Sequence, residues 1–254
     1  MKIVHRNRFE QLVQDAHTAH FAGWDFSWLE GRMVQQDPPW DYAAIVREHL
    51  ASSTSLLDMG TGGGEFLASL SPLPKDTHAT ECYPPNQQIA LARLAPLQVT
   101  VHPLNEGETL PFPENRFDLV INRHDSFIPQ EVFHILKPGG LFITQQVGGL
   151  DNLELNQVLE ESCSFPFMEW DLAPALTGLY DAGFHVLRAE KSALMTAFLD
   201  IGAVTYYLKV ISWQVPGFSP ETHLEGLTKI HNIIERQGKF LSTAHRFLLI
   251  AKKE

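Results

Sequence analysis

Between about residues 50 and 147 the sequence alternates short apolar runs with segments of helical periodicity. The apolar runs predict strands, which are Thr54–Met59, Thr77–Cys82, Gln98–His102, Phe117–Asn122 and Leu141–Val147. The segments between them predict helices at Glu65–Leu70, Asn86–Leu94 and Gln130–Leu136. Strands that alternate with helices form a parallel sheet with helices on both faces. The expected fold class is therefore α/β, a Rossmann-like doubly wound sheet.

The chain on either side of this alternating region is different in character. Residues 1–50 are predicted to be helical and contain many aromatic side chains. Beyond residue 150 two strands are predicted, Phe184–Glu190 and His245–Ala251, with helical patterns near 197–210 and 220–236 between them. About fifty residues between two strands is far more than a hairpin needs. We therefore expect a helical insertion at 193–240.

Composition excludes several classes of protein. The 254 residues carry a net charge of −11, which disfavours binding to a phosphate backbone. The two cysteines, Cys82 and Cys163, are too few for a disulfide framework or a multi-cysteine zinc module. His17 and His20 lie three residues apart without a third ligand at a suitable spacing, so no metal is expected. No apolar run is long enough to cross a bilayer, and we expect a soluble cytoplasmic protein.

A glycine cluster follows the first strand of the alternating region. Its glycines are Gly60, Gly62 and Gly64, in the pattern G-x-G-x-G that Asp58 precedes. The dinucleotide fingerprint would place its third glycine at position 65, where this chain has Glu65. An acidic residue at a helix start disfavours a pyrophosphate and favours a cationic ligand. A nicotinamide dehydrogenase is accordingly disfavoured.

Asp58-x-Gly60-x-Gly62-x-Gly64 resembles motif I of the class I S-adenosylmethionine-dependent methyltransferases, and of their type 11 group in particular. The runs Leu110-Pro111-Phe112, Phe117–Val120 and Leu136–Gly140 are similar to later parts of the same family pattern and occur in the family order. The resemblance covers about residues 50–148 and the final strand pair. It implies a seven-stranded sheet with an antiparallel last strand, S-adenosylmethionine as cofactor, and methyl transfer as the activity.

The resemblance also implies cofactor-binding residues. The motif I residues are expected to lie along the cofactor, and Glu81, which ends the second strand, is expected to bind the two ribose hydroxyls. Glu106, beside Asn105, occupies the position that contacts the adenine amino group, and Asn122 ends the strand at which the cofactor lies. Arg32 is a further candidate, for the methionine carboxylate, if the aromatic N-terminal segment folds over the site.

His124 follows the fourth strand, where the methyl group reacts in this family, and it is the candidate catalytic residue because a histidine titrates near neutrality. A structural histidine bonded to a loop carbonyl is an equal alternative. Gln145 and Gln146 are polar at a strand end that should be buried, and one of them is expected to face the pocket. Asp37-Pro38-Pro39-Trp40 resembles a motif of enzymes that methylate base amines, but its place before motif I favours a simple proline entry to a helix at Trp40–Leu50.

We expect a single methyltransferase domain, 1–254. In it, residues 1–50 form a helical cover, 51–150 the cofactor-binding half, and 151–254 the substrate-side half with the 193–240 insertion. Aromatic side chains in the cover and the insertion must be buried, and Tyr206, Tyr207 and Trp213 are candidates to line an acceptor pocket opposite His124. The expected partner is a small organic acceptor, with no nucleic acid and no membrane. A ribosomal RNA base methyltransferase and a non-catalytic S-adenosylmethionine-binding module remain alternatives.

Overall fold

The computed structural model of the protein describes residues 2–105, 107–160 and 166–254, with side chains from residue 8 onward. Its strands are β1 (Met33–Gln35), β2 (Ser55–Met59), β3 (Asp76–Glu81), β4 (Thr100–Pro103), β5 (Phe117–Arg123), β6 (Leu136–Val147), β7 (Phe184–Phe198) and β8 (Phe240–Lys253). Its helices are α1 (Lys2–Thr18), α2 (Tyr42–Leu50), α3 (Glu65–Ser69), α4 (Pro84–Leu94), α5 (Pro129–Ile135), α6 (Leu153–Leu159), α7 (Leu172–Asp181), α8 (Ile201–Val210) and α9 (Leu224–Gln237). None of the helices in these ranges is long and apolar enough to cross a membrane.

All strands of the described chain join one sheet in the order β1-β7-β8-β6-β5-β2-β3-β4. Strands β2 to β6 are mutually parallel, and β8 runs antiparallel between β6 and β7. This confirms the α/β fold with an antiparallel last strand. The glycine cluster follows β2, so it lies at the carboxyl edge of the sheet, where open α/β sheets bind ligands.

The sheet has eight strands instead of the seven expected. The additional strand, β1, pairs antiparallel with the end of β7, where Met33 is opposite Phe198. It is three residues long, and Val34 at its centre is half exposed. A short edge strand without a buried face has no apolar alternation, which is why the sequence did not indicate it.

The two strands that flank the insertion are much longer than predicted. They pair from Phe184 opposite Lys253 to Phe198 opposite Phe240, with one irregularity near Val186. Strand β6 ends at Val147, opposite Arg246 of β8. The ends of the β7–β8 ribbon, residues 193–198 and 240–245, therefore extend beyond the carboxyl edge. The insertion is correspondingly shorter than 193–240 and covers 199–239.

A layer of helices packs at the far end of this ribbon. Apolar side chains of α1, α6, α8 and α9 share one core with Phe198 and Phe240, and Tyr206 is buried in it. The segment after α1 joins this layer, because Trp28 stacks on Tyr206 at 4.6 Å between ring centroids. Arg32 covers Trp28 and forms two 2.8 Å hydrogen bonds to Asp200, the residue before α8. The N-terminal segment and the insertion are thus one packed unit.

We predict that Asp200→Ala lowers the free energy of unfolding by about 2–3 kcal/mol, measured by urea denaturation. The Asp200 carboxylate accepts a 2.9 Å hydrogen bond from the amide of Ala203 and also pairs with Arg32. The substitution therefore removes a helix cap and leaves a half-buried guanidinium without its partner. Asp200→Asn keeps an oxygen for the cap and should cost less. Equal stability of Asp200→Ala and the natural chain would contradict this assignment.

Candidate active site

The glycine cluster turns the chain from β2 into α3 through three left-handed residues. Gly60, Gly62 and Gly64 have φ values of 66°, 63° and 82°. A Cβ at position 60 would overlap the carboxylate of Asp125, and a Cβ at position 64 would lie 2.8 Å from the side chain of Leu94. Glycine is required at both positions by backbone conformation and by space. The loop is therefore enclosed by its neighbours on the sheet and on α4.

Aromatic side chains from two distant segments meet over this loop. Cδ1 of Trp24 would lie 3.0 Å from a Cβ on Gly62, and the ring of Trp24 contacts that of Trp213 edge-on at 6.0 Å. We call Trp24 and Trp213 the aromatic roof. Gly23 and Trp24 both have positive φ, 65° and 54°, and this turn brings the indole onto the loop. Phe21, Phe26 and Trp28 of the same segment pack into the helical layer, and Phe21 and Phe26 also contact the ring of Trp24.

Three acidic residues lie beneath the roof, and we call Asp58, Glu81 and Asp125 the carboxylate cluster. Asp58 and Glu81 are buried. Burial raises the pKa of Asp58 to about 7, and the charges of Asp125 and Glu81 add to this shift. Burial also raises the pKa of Glu81 and of Asp125. Among the described side chains none of the three forms a salt bridge.

The negative charge of the cluster is offset only in part, by the charge of Arg123, by the side chain of Thr61 and by hydrogen bonds from the backbone amides of Gly62 and Tyr83. A carboxyl group whose pKa is higher in the folded chain than in the unfolded chain holds its proton better when folded. The cluster therefore lowers the free energy of unfolding as the pH rises from about 4 to about 7. A bound cation would relieve this repulsion.

Glu65, the acidic residue that indicated a cationic ligand in the sequence, does not itself supply free charge. Its carboxylate pairs with Arg93 of α4, and the same guanidinium caps the carbonyl of Gly63. The charge that remains without a partner is that of the carboxylate cluster. The site therefore still favours a cationic ligand, through the carboxylate cluster and not through Glu65.

The residues present fit S-adenosylmethionine, whose sulfonium is positively charged. The carboxylate cluster supplies opposite charge, and Glu81 has acceptor oxygens for a vicinal diol. The Nδ2 donor of Asn122, at the end of β5, is buried without a hydrogen-bond partner in the described chain, and so is the side chain of Asn86 in the first turn of α4. Unpartnered buried polar groups of this kind are costly unless a ligand satisfies them.

His124 lies at the same edge, directly after β5, in a left-handed conformation with φ of 64°. Its backbone amide donates a 2.8 Å hydrogen bond to the carbonyl of Gln145, and its Nε2 lies 2.9 Å from Nε2 of Gln145. Gln146 points elsewhere, donating to Oδ1 of Asn122 at 2.6 Å. A strained backbone held by neighbouring strands is typical of functional sites. The predicted role of His124 in catalysis stays a prediction.

The remaining candidates are distributed differently. The Nε and Nη2 donors of Arg32 are engaged by Asp200, so the structure gives Arg32 a structural partner in place of the expected methionine carboxylate. Tyr206 is buried in the helical layer, and Tyr207 is a buried hydrogen-bond partner of Asn152 at 3.0 Å. Of the three aromatic candidates, Trp213 is the one that belongs to the roof. Glu106 and Cys163 lie outside the described residues.

Sequence reasoning missed two contributors to the site. Asp125 was adjacent to the candidate His124, but only the structure shows that its carboxylate packs on Gly60. The sequence predicted that the two prolines before Trp40 lead into a helix, and α2 does begin at Tyr42, with Asp41 as its N-cap. Its indole, however, donates a 2.8 Å hydrogen bond to Oε1 of Gln145. The aspartate-proline-proline-tryptophan motif was the available signal for Trp40.

We predict that Gly62→Ala abolishes binding of S-adenosylhomocysteine in calorimetry while Gly217→Ala leaves it unchanged. Both glycines have positive φ, and each substitution should lower the free energy of unfolding by about 1–2 kcal/mol. A Cβ at Gly217 meets nothing within 4 Å, whereas one at Gly62 presses on Trp24 and on the ligand path. Equal affinities of the two variants would show that the ligand does not lie over this loop.

We predict that affinity for S-adenosylmethionine, relative to S-adenosylhomocysteine, rises as the pH increases through about 7, where Asp58 ionises. Only the former carries the sulfonium charge that the ionised cluster attracts. Asp125→Asn should lower this ratio roughly fivefold, the effect of about 1 kcal/mol. It should also move the midpoint to lower pH, because the charge of Asp125 helps raise the pKa of Asp58. Calorimetry with both ligands across this range tests it, and a constant ratio would argue against the charge assignment.

Comparison with known proteins agrees with this geometry. A family model described as a methyltransferase domain matches residues 57–144, which include the glycine loop, β5 and most of β6. Protein-L-isoaspartate O-methyltransferase 2 of Rhodopseudomonas palustris (strain HaA2) is 28% identical, over 70% of this chain and 84% of its own length.

Solved structures share the fold at lower identity. A protein from Bacillus halodurans C-125, provisionally described as a methyltransferase, superposes with a TM-score of 0.60 at 17% identity, covering 83% of this chain and 98% of its own. A functionally unknown protein from Deinococcus radiodurans R1 gives 0.62 at 13% identity, covering 87% and 91%. Residues 57–144 thus form a methyltransferase domain of the S-adenosylmethionine-dependent kind, on the sheet and glycine loop described above, and S-adenosylmethionine is its cofactor.

Proposed function

We propose that this methyltransferase acts on an oxygen, nitrogen or carbon nucleophile of a small organic acceptor. The observation that carries the proposal is the aromatic roof, in which Trp24 of the N-terminal segment lies against the glycine loop and Trp213 of the insertion contacts Trp24. A covered site of this kind suits a small molecule better than a long polymer. The net charge of −11 also disfavours a nucleic acid.

S-adenosylmethionine, when bound, supplies an electrophilic methyl group on its sulfonium. The chain's own contribution is to position and enclose the reactants. Gly60, Gly62 and Gly64 allow close approach of the backbone, and Glu81 would hold the ribose hydroxyls. Asp58, Asp125 and Asn122 would complete the cofactor site, with charge and a hydrogen-bond donor. The roof would exclude water.

The acceptor would lie between the roof and the ends of β5 and β6. We assign His124 to its β5 side and Trp213 to the insertion side. Tyr206 and Tyr207 would support the insertion from within its core, because both are buried there. An aromatic wall favours an acceptor with an apolar or aromatic body over a sugar or a phosphate. A general base is needed only if the nucleophile must lose a proton.

Two other activities remain as outcomes of the test. The relative from Rhodopseudomonas palustris is named for methyl transfer to isoaspartate in proteins, so an isoaspartyl peptide belongs among the acceptors tried. Ribosomal RNA is a second alternative acceptor to be tried. Cofactor binding without transfer to any acceptor would indicate a non-catalytic S-adenosylmethionine-binding module.

We predict that the full chain transfers labelled methyl groups from S-adenosylmethionine to members of a panel of small phenols, carboxylic acids and amines, with equimolar S-adenosylhomocysteine formed. Trp24→Ala should reduce cofactor affinity about tenfold, because it removes an aromatic contact and opens the site. Tyr180→Ala, which truncates an exposed aromatic side chain on α7, is the matched control and should change nothing. Label found exclusively in RNA or in an isoaspartyl peptide would refute the small-acceptor proposal.

A further inference from the structure

A chain of hydrogen bonds links the aspartate-proline-proline-tryptophan motif to the candidate acceptor site. The indole Nε1 of Trp40 lies 2.8 Å from Oε1 of Gln145. Nε2 of Gln145 lies 2.9 Å from Nε2 of His124. Trp40 and Gln145 are both nearly inaccessible to solvent, at 5% exposure each. The bond between Trp40 and Gln145 is therefore shielded from water, whereas His124 at the other end of the chain of bonds is exposed as a residue.

The chemistry of these groups fixes the direction of every bond. An indole N–H can only donate, so the atom of Gln145 that faces Trp40 must be its carbonyl oxygen. The other end of the amide, which faces His124, is then the NH₂ group, and it can only donate. Nε2 of His124 must accept this bond with its lone pair. In the neutral imidazole the proton consequently resides on Nδ1.

The surrounding charges keep the imidazole neutral. Packing of protein around the ring lowers the pKa of His124 well below its ordinary value, and the positive charges of Arg246 and Arg123 add to the shift. Two acidic residues lie nearby: Asp151 is paired with Arg246, and Asp125 follows His124 in the chain.

We propose that Trp40 and Gln145 are positioning residues that hold the proton of His124 on Nδ1, so that His124 donates a hydrogen bond to the acceptor and does not act as a general base. In the described part of the chain Nδ1 has no hydrogen-bond partner, so it is available to a ligand. The lone pair of Nε2, which a base would need, is occupied by Gln145. This inference rests on the proposed function insofar as His124 faces the acceptor.

The proposal limits the chemistry of the acceptor. With no base at His124, the nucleophile must already be unprotonated at neutral pH. Carboxylates, phenolates of low pKa and neutral amines satisfy this condition. A carboxylate has a second oxygen that can accept a hydrogen bond from Nδ1. A phenolate or an amine would need an acceptor atom next to its nucleophile. Alcohols and ordinary phenols do not satisfy the condition, because they must lose a proton as they are methylated.

The tautomer can be measured on the free protein, without an acceptor. In ¹⁵N-labelled protein, two-dimensional NMR distinguishes a protonated ring nitrogen from one with a free lone pair, and His124→Asn assigns the signals. Asn is chosen because it tolerates the left-handed backbone at this position. We expect Nδ1 protonated, Nε2 unprotonated, and no titration of His124 across neutral pH. A protonated Nε2 in the neutral ring would overturn the proposal.

Two substitutions test the positioning residues. Gln145→Glu replaces the donor facing His124 with an acceptor, so the proton should move to Nε2 and the pKa of His124 should rise. Trp40→Phe removes the indole N–H while it keeps an aromatic ring, so Gln145 can rotate and both tautomers should appear. Trp170→Phe removes an indole that packs on Phe127 and Phe247 and serves as the control, in which the signals of His124 should be unchanged. Unchanged signals in Gln145→Glu would show that Gln145 does not set the tautomer.

With an acceptor found, the pH dependence of Gln145→Glu separates donor from base. Below the raised pKa, Nδ1 is protonated and can donate; above it, the proton is retained at Nε2 alone. The kcat of a donor mechanism should therefore fall as the pH rises, on the order of a hundredfold. For a base mechanism kcat would rise over the same range, and that result would overturn the proposal. If no small acceptor is methylated, the proposed function fails while the NMR result still decides the tautomer.

Discussion

Negative charge without a partner is the constraint on which the arrangement of this site depends. Asp58, Glu81 and Asp125 crowd around a glycine turn that leaves no room for a side chain, and none has a salt bridge in the described structure. Such a cluster is tolerable in the free chain only because burial favours the protonated forms. The charge of the cofactor, the protonation of the cluster and the folding stability are thereby linked. The glycine loop, the aromatic roof and α3 all lie around the carboxylate cluster.

The β7–β8 ribbon determines which segment can cover the carboxylate cluster. Because both strands run past the end of β6, the chain between them begins and ends beyond the carboxyl edge. The insertion therefore has to fold above the ligand side of the sheet. Its aromatic face then supplies a packing surface for the N-terminal segment, which Arg32 and Asp200 fasten in place.

The sheet and the cofactor loop were predictable from sequence because their signals are local. Apolar runs, the glycine spacing and Glu81 at a strand end each follow from a few neighbouring residues. The packing of the N-terminal segment on the insertion was harder to predict. The roof depends on left-handed turns at Gly23 and Trp24 that bring together residues far apart in the chain. The pairing of Arg32 with Asp200 could not be predicted, because Asp200 lies 168 positions away in the sequence. The hydrogen bond of Trp40 likewise could not be predicted without the position of Gln145 in the folded chain.

The ribbon carries residues 199–239 as a closed loop between Phe198 and Phe240. The strands and helices around the glycine loop form a continuous block, whereas the proposed acceptor side is attached through one pair of antiparallel strands. Residues 199–239 can thus change in length without breaking a parallel crossover, provided that the face that packs on the N-terminal segment is kept. A fold built this way can acquire new acceptors by exchange of a single surface segment, while its methyl-donor chemistry stays the same.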